Sequence, residues 1–166
     1  MKNKFNVFSY DANSIEDNTY KSLNFGYNLC ANKKCIGLIT LPLRKDIIKN
    51  TINKSFIGHT EFFQRKDKKN NANMILFHKK IIISPLTTHI ELKKISKVIS
   101  NKTFLYNQIL NLYKCLEFDF NIKKPNIVIS GLNPHAGENG ELGTEEKQII
   151  HPVLKKIQKK GINISG

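Results

Sequence analysis

Tryptophan is absent, arginine occurs twice, cysteine three times, and the apolar runs are only a few residues long. Each shortage excludes a class of protein. Cys30, Cys35 and Cys115 form an odd, scattered set without CxxC spacing, and no second pair follows Cys30-x4-Cys35. That rules out a disulfide framework or a cysteine zinc motif and points to a reduced, cytoplasmic setting. Runs as short as residues 81–83 cannot span a bilayer, and the opening MKNKFNVFSYDANS lacks the apolar stretch of a signal peptide. Acidic residues are also scarce: 13 against 27 basic ones give a net charge of +14. Such a charge raises nucleic acid as a partner. However, 25 of the basic residues are Lys, a solvated point charge without the planar fork that phosphate and base recognition favour. Lys is inflated together with Asn (20) and Ile (23), the residues that AT-rich codons supply. Neither a nucleic-acid nor a membrane partner is therefore expected.

What is present describes a folded chain. Hydrophobic content of 40% is too high for a disordered polar protein, and 166 residues fit one domain. Residues 1–18 read as a polar lead-in, and residues 19–166 as the α/β region. Helical spacing of Leu23, Tyr27 and Cys30 marks a helix over residues 20–30, weakened by Gly26. Residues 35–40 (CIGLIT) have the composition of a buried strand. After Pro42, Leu43, Ile47, Ile48 and Ile52 define a helical face, and Thr60 is a candidate cap for a short helix holding Phe62 and Phe63. Residues 74–77 and 81–86 read as two strands around a turn at His78 and Lys79. The strongest helix covers residues 101–120, with Leu105, Ile109, Leu112, Leu116 and Phe120 on one face. Residues 126–130 (NIVIS) predict a buried strand, followed by a Gly-rich loop to Gly143 and a helix from Thr144 that Pro152 kinks and Gly161 ends. Residues 162–164 begin a strand without a partner, which suggests a break inside a domain. Strands alternating with helices predict a layered α/β fold.

Two histidines follow strand-like runs. His89 ends IIISPLTTH, and His135 lies in the loop after NIVIS. Ligands of open α/β sheets collect beyond strand ends, and imidazole is a common metal donor, so the pair could share a metal. The alternative is ordinary hydrogen-bonded histidines. His59 sits where a loop enters a helix beside Gly58, a place that suits an anion or simply a cap. His78 and His151 receive no role. The glycines of residues 131–143 match neither dinucleotide nor P-loop fingerprints.

The strings GLNPHAGENGELGTEE, IIHPVLKKIQKKGINISG, FIGHTEFF and LTTHIELKKI, with LITLPLRKDII as a divergent further copy ending near Lys45, resemble the ordered motifs of the 4-hydroxythreonine-4-phosphate dehydrogenase family. The resemblance implies an α/β/α, isocitrate/isopropylmalate-dehydrogenase-like fold, incomplete in this chain, and a cytoplasmic homodimer. It implies NAD or NADP and a divalent metal (Zn, Mg or Co). The reaction implied is oxidation and decarboxylation of 4-phosphooxy-L-threonine in pyridoxal phosphate biosynthesis. By motif, His59 and Thr60 would contact substrate, and His89 and His135 would be two of three metal-binding histidines. The third, in a His-Asp-Gln motif, and most dinucleotide contacts are not among these 166 residues, and Asn139 and Glu141 stand where Gly and His are common. Alternatives are a dehydrogenase for another phosphorylated hydroxy acid and a non-enzymatic, Lys-rich binding module.

Overall fold

The computed structural model describes residues 7, 9, 14–69, 71–79 and 81–166. Most of the expected polar lead-in therefore lies outside the described residues. The chain divides into two units, Met1–Asn70 and Asn71–Gly166.

Among the described residues the first unit is built from three helices. Ser14 caps α1 (Ile15–Ala31) by accepting from the Asp17 N–H, so the helix starts earlier than the apolar spacing indicated. Gly26 does not break it. A Cβ there would stand 2.6 Å from Leu38 Cδ1, so the glycine lets that side chain lie against the helix. Leu43 and Ile52 pack with buried Ile48 of α2 (Lys45–Thr51), the face that the sequence predicted. Helix α3 (His59–Lys66) is capped by Gly58, and Thr60 falls inside its first turn rather than at the cap. Leu23, Ile48, Phe56 and Phe62 form the core, with Tyr20 meeting Phe56 and Phe62 edge-on.

Residues 35–40 are the main correction. They are exposed and form no strand, and Ile36 and Ile39 face solvent almost fully. A buried parallel strand needs neighbours on both edges, and the described residues of this unit contain no other strand.

The second unit opens with an antiparallel hairpin, β1 (Leu76–His78) against β2 (Ile81–Ile83), in the register Leu76↔Ile83 and His78↔Ile81. Its turn passes through Lys79 at φ 52°, and both strands are largely exposed. A short helix, α4 (Ile95–Ile99), has no counterpart in the sequence reading. Helix α5 (Lys102–Phe118) matches expectation, with the Asn101 side chain accepting from the Phe104 N–H. Phe120 lies beyond its end and is exposed. Strand β3 (Ile127–Val128) pairs in parallel with β4 (Ile164–Ser165), so the last strand has a partner after all. Between them runs a π-helical segment (Glu146–Ile150) that continues directly as α6 (His151–Gln158). Pro152, which has no N–H to give, sits at the start of α6, where the wide turns end.

A strand, a helix and a parallel strand make a βαβ crossover, and the class is α/β. The described strands form two two-stranded sheets, not one wide layered sheet. The core of this unit joins Leu105, Ile109 and Leu116 of α5, Ile150, Val153, Leu154 and Ile157 of the helical crossover, and Ile127 and Ile164 of the strands.

Ile157 is fully buried at that junction. Ile157→Ala is expected to lower the stability of residues 71–166 by about 2–5 kcal/mol. Urea denaturation checks this, and a loss below about 0.5 kcal/mol, the size of an ordinary surface change, would contradict the packing.

Candidate functional site

The GHT motif opens α3. Gly58 is buried with an extended backbone (φ 175°), a conformation open to any residue, so space rather than torsion favours glycine. A Cβ there would lie 3.2 Å from Glu61 Oε2 and 3.3 Å from Lys45 Nζ. His59 is partly buried and stacks on Phe63 one turn on, with ring centroids 6.5 Å apart. Burial first, and the Lys45 charge second, hold its imidazole below the ordinary histidine pKa. It is therefore neutral at pH 7 and able both to donate and to accept. Thr60, also partly buried, adds a hydroxyl in the same turn. Glu61 carries the one buried side-chain oxygen among the described residues that lacks a hydrogen-bond partner, Oε2. Leaving such an atom unpaired costs about 1–3 kcal/mol.

His89 is exposed at φ 56°, in a bend well beyond the end of β2. The stretch before it is only partly buried, so the strand-end placement that suggested a ligand does not describe it. His135 is held within a dense loop. Asn133 Oδ1 accepts from the His135 N–H at 2.9 Å, and its carbonyl accepts from the Ala136 N–H. The chain then turns left-handed through Ala136, Gly137 and Glu138 (φ 46°, 76° and 41°). That turn returns Glu138 to His135, with Nδ1 2.6 Å from Oε1. Nδ1–H donating to the carboxylate leaves Nε2 as the free lone pair, the arrangement that orients a metal-binding imidazole.

The loop is pinned by Glu146, whose buried carboxylate accepts from the Leu132 N–H at 3.1 Å. Glu146 is not among the candidate residues read from the sequence. Its spacing from Ile150, Val153 and Ile157 places it on the apolar face and could have revealed its burial. Its neighbour Glu145 instead accepts from Ser96 Oγ, which lowers its pKa. His78 and His151 are exposed, and burial pushes the Cys115 thiol up to about 11, which makes it a poor nucleophile.

Donor chemistry at His135 suits a metal, but the described residues bring no group of three or more His, Cys, Asp or Glu side chains together to hold one. They do not form a complete metal site.

Comparison with known proteins decides the family. The model of the pyridoxal phosphate biosynthetic protein PdxA matches residues 8–166. The chain belongs to the PdxA family. A 4-hydroxythreonine-4-phosphate dehydrogenase of Enterobacter sp. (strain 638) is 41% identical over 137 residues, which cover 82% of this chain and 41% of that protein. The crystal structure of the enzyme of that name from Klebsiella pneumoniae superposes with a TM-score of 0.79 at 25% identity, over 91% of this chain and 45% of the other. One from Burkholderia phymatum gives 0.74 at 28% identity, with the same coverage. The PdxA chain described here thus spans less than half the length of these relatives.

Two expectations follow from the geometry. Glu146→Ala removes the only acceptor recorded for the Leu132 N–H, and amide exchange at Leu132 should accelerate while Glu146→Gln, which keeps an acceptor, leaves it nearly unchanged. Unchanged exchange in the Ala variant would show that the loop does not hang on this bond. His59, in turn, has a folded pKa below its unfolded one, so the unfolded state binds more protons between the two values. Its contribution to stability is present above the unfolded pKa, fades as pH falls through that window, and turns to a net cost for the protonated ring. NMR titration should place His59 below an ordinary histidine, and Lys45→Met should raise it part of the way back. An unshifted His59 would contradict the burial described.

Proposed function

We propose that this chain carries part of the active site of a 4-hydroxythreonine-4-phosphate dehydrogenase, an oxidoreductase of pyridoxal phosphate biosynthesis. The match of the family model over nearly the whole chain carries the reading. The two motif loops support it, because each gathers polar groups on a fixed local frame. The reaction is NAD- or NADP-linked oxidation of the secondary alcohol of 4-phosphooxy-L-threonine. When bound, NAD or NADP would supply the hydride acceptor; the hydroxyl proton would pass to solvent, and the β-keto acid, losing CO2 and taking up a proton at the carbon left behind, would give 3-amino-2-oxopropyl phosphate.

In this reading the first turn of α3 meets the substrate. Neutral His59 and the Thr60 hydroxyl hydrogen-bond to it, and the Lys45 charge favours its anionic groups. His89 and His135 are donors to a divalent cation, Zn, Mg or Co, whose further ligand is not supplied here. Such an ion supplies Lewis acidity when bound. The assembly is a cytoplasmic homodimer. Among the described residues no helix is long and apolar enough to cross a membrane.

Isothermal titration of the purified chain with 4-phosphooxy-L-threonine tests the substrate assignment. His59→Ala and Thr60→Ala should each weaken binding by roughly tenfold, the worth of one good polar contact. No binding by the unaltered chain would overturn the assignment. The metal assignment requires loss of bound Zn or Co in both His89→Ala and His135→Ala, and retention in either counts against it. Without the family's third histidine the 166 residues should bind substrate and not reduce NAD. NADH formation by this chain with substrate and metal would contradict that.

A further inference from the structure

A cavity of about 190 Å³ opens in the first unit between α1 and the segment that leads into α3. Its floor is the buried rings of Phe56 and Phe62, and Tyr20, which meets both edge-on, forms a wall. Arg65 and Lys66 also line it and are exposed, so two cations stand at its mouth. No acidic residue is among the described residues that line it. The polar groups beside it are chained in one direction. The Ser55 N–H can only donate, so Asn53 Oδ1, 3.0 Å away, is the acceptor, and Asn53 Nδ2 is turned to donate to Tyr20 Oη at 2.9 Å. Arg65 can only donate, so Ser55 Oγ accepts from its Nη1 at 2.9 Å and gives its own O–H to Asn53 Oδ1 at 2.8 Å. The Ser55 carbonyl accepts from the same Nη1 and fixes the guanidinium further. Lys66 Nζ lies over the Phe62 ring, 5.6 Å from its centroid, and over that of Tyr27 at 5.9 Å.

This chain of bonds decides what remains. Tyr20 Oη already accepts, so its O–H is left to donate, and no acceptor for it is recorded among the described residues. Arg65 keeps Nε and Nη2, and no ion pair is recorded among the described residues for either Arg65 or Lys66. The uncommitted donors at the cavity are therefore a phenol, a guanidinium and an ammonium, with no carboxylate opposing them. Such a set suits an oxyanion, which only accepts and gains charge-assisted bonds. The floor sets a second demand, since buried rings favour an apolar body. An apolar cavity of about 150 Å³ holds a benzene ring. A cavity of about 190 Å³ thus has room for a compact body and one oxyanion group. We propose that this cavity binds a small organic anion, a carboxylate or phosphate on a compact apolar or aromatic body. The body lies on Phe56 and Phe62, and the oxyanion accepts from Tyr20 Oη, Arg65 and Lys66. His59, Thr60, His89 and His135 do not line the cavity, so the site stands whether or not the chain serves a dehydrogenase.

The test titrates benzoate, phenyl phosphate, benzamide and inorganic phosphate into the purified chain and follows backbone amides by NMR. Benzoate or phenyl phosphate should shift the amides of Ser55, Phe56 and Lys66, and the tighter of the two identifies the oxyanion. Benzamide is the neutral counterpart of benzoate, and inorganic phosphate is the anion without a ring. Each should bind at least roughly tenfold more weakly than the better anion. Arg65→Met and Lys66→Met should each weaken that anion by roughly tenfold, and Tyr20→Phe, which keeps the ring, by roughly fivefold. Circular dichroism checks the helices of each variant. Because Arg65 also holds Ser55, Lys66→Met and Tyr20→Phe carry the test if Arg65→Met loses structure. No shift with either ring anion overturns the proposal. So does benzamide binding as tightly as benzoate, which would make the cavity merely apolar. Inorganic phosphate binding as tightly as phenyl phosphate overturns it too, as general attraction to a chain of charge +14. Undiminished anion binding in both Lys66→Met and Tyr20→Phe has the same consequence.

Discussion

Burial of one apolar stripe holds the second unit together. Ile150, Val153, Leu154 and Ile157 lie along the helical crossover and pack with Leu105, Ile109 and Leu116 of α5 and with Ile127 and Ile164 of the parallel strands. Apolar burial is non-directional and would not by itself fix a loop. Glu146 converts it into a fixed position, because it stands on the same stripe and turns its carboxylate to the Leu132 N–H. The strands of the βαβ unit, the crossover helix and the loop that carries His135 are thereby one construction. The wide π-helical turns at Glu146–Ile150 are part of it, since they end just before Pro152, where the backbone loses a donor.

Charge is distributed in the opposite way from what the net value suggests. Lysines dominate the surface, whereas the scarce acids do local work at the two motif loops. Glu138 takes the Nδ1 side of His135, Glu146 takes a backbone N–H, and Glu61 keeps one buried oxygen, Oε2, without a hydrogen-bond partner. In a field of +14, anionic ligands are drawn toward the molecule generally.

Elements whose pattern is local were legible in the sequence. Helix α5 follows from its apolar period, α2 from the spacing around Ile48, and the β1–β2 turn from the two apolar runs beside Lys79. The strand-like segment at residues 35–40 failed for a non-local reason. Its composition records burial by neighbours on both edges, and a chain spanning 45% of the solved relatives' length need not contain those neighbours. The same reason explains the last strand. Nothing in residues 162–164 names β3 as a partner, and the parallel pairing depends on a crossover that brings distant segments together.

The site divides along the same line. GHTEF and GLNPHAGE are short strings whose geometry is closed within a turn or two, so their residue types were readable and their surroundings largely follow. Gly58 precedes the first turn of α3, and Asn133, His135 and Glu138 bond to one another within six residues. What sequence alone left unread is everything that arrives from another element: Lys45 from α2 against Gly58, and Glu146 from the crossover helix against Leu132. These are the contacts that turn a motif into a site, because they add a charge or a fixed acceptor that the string itself lacks. Strand-end reasoning about His89 and His135 relied on the opposite assumption, that position along the chain predicts convergence. His135 has its orienting partner only because that partner is three residues away, within reach of a left-handed turn. His89 is exposed in a bend, and no comparable local partner is recorded for it. A histidine therefore gains a defined donor nitrogen from its immediate loop, and a motif gains a charge or a fixed acceptor from a neighbouring helix.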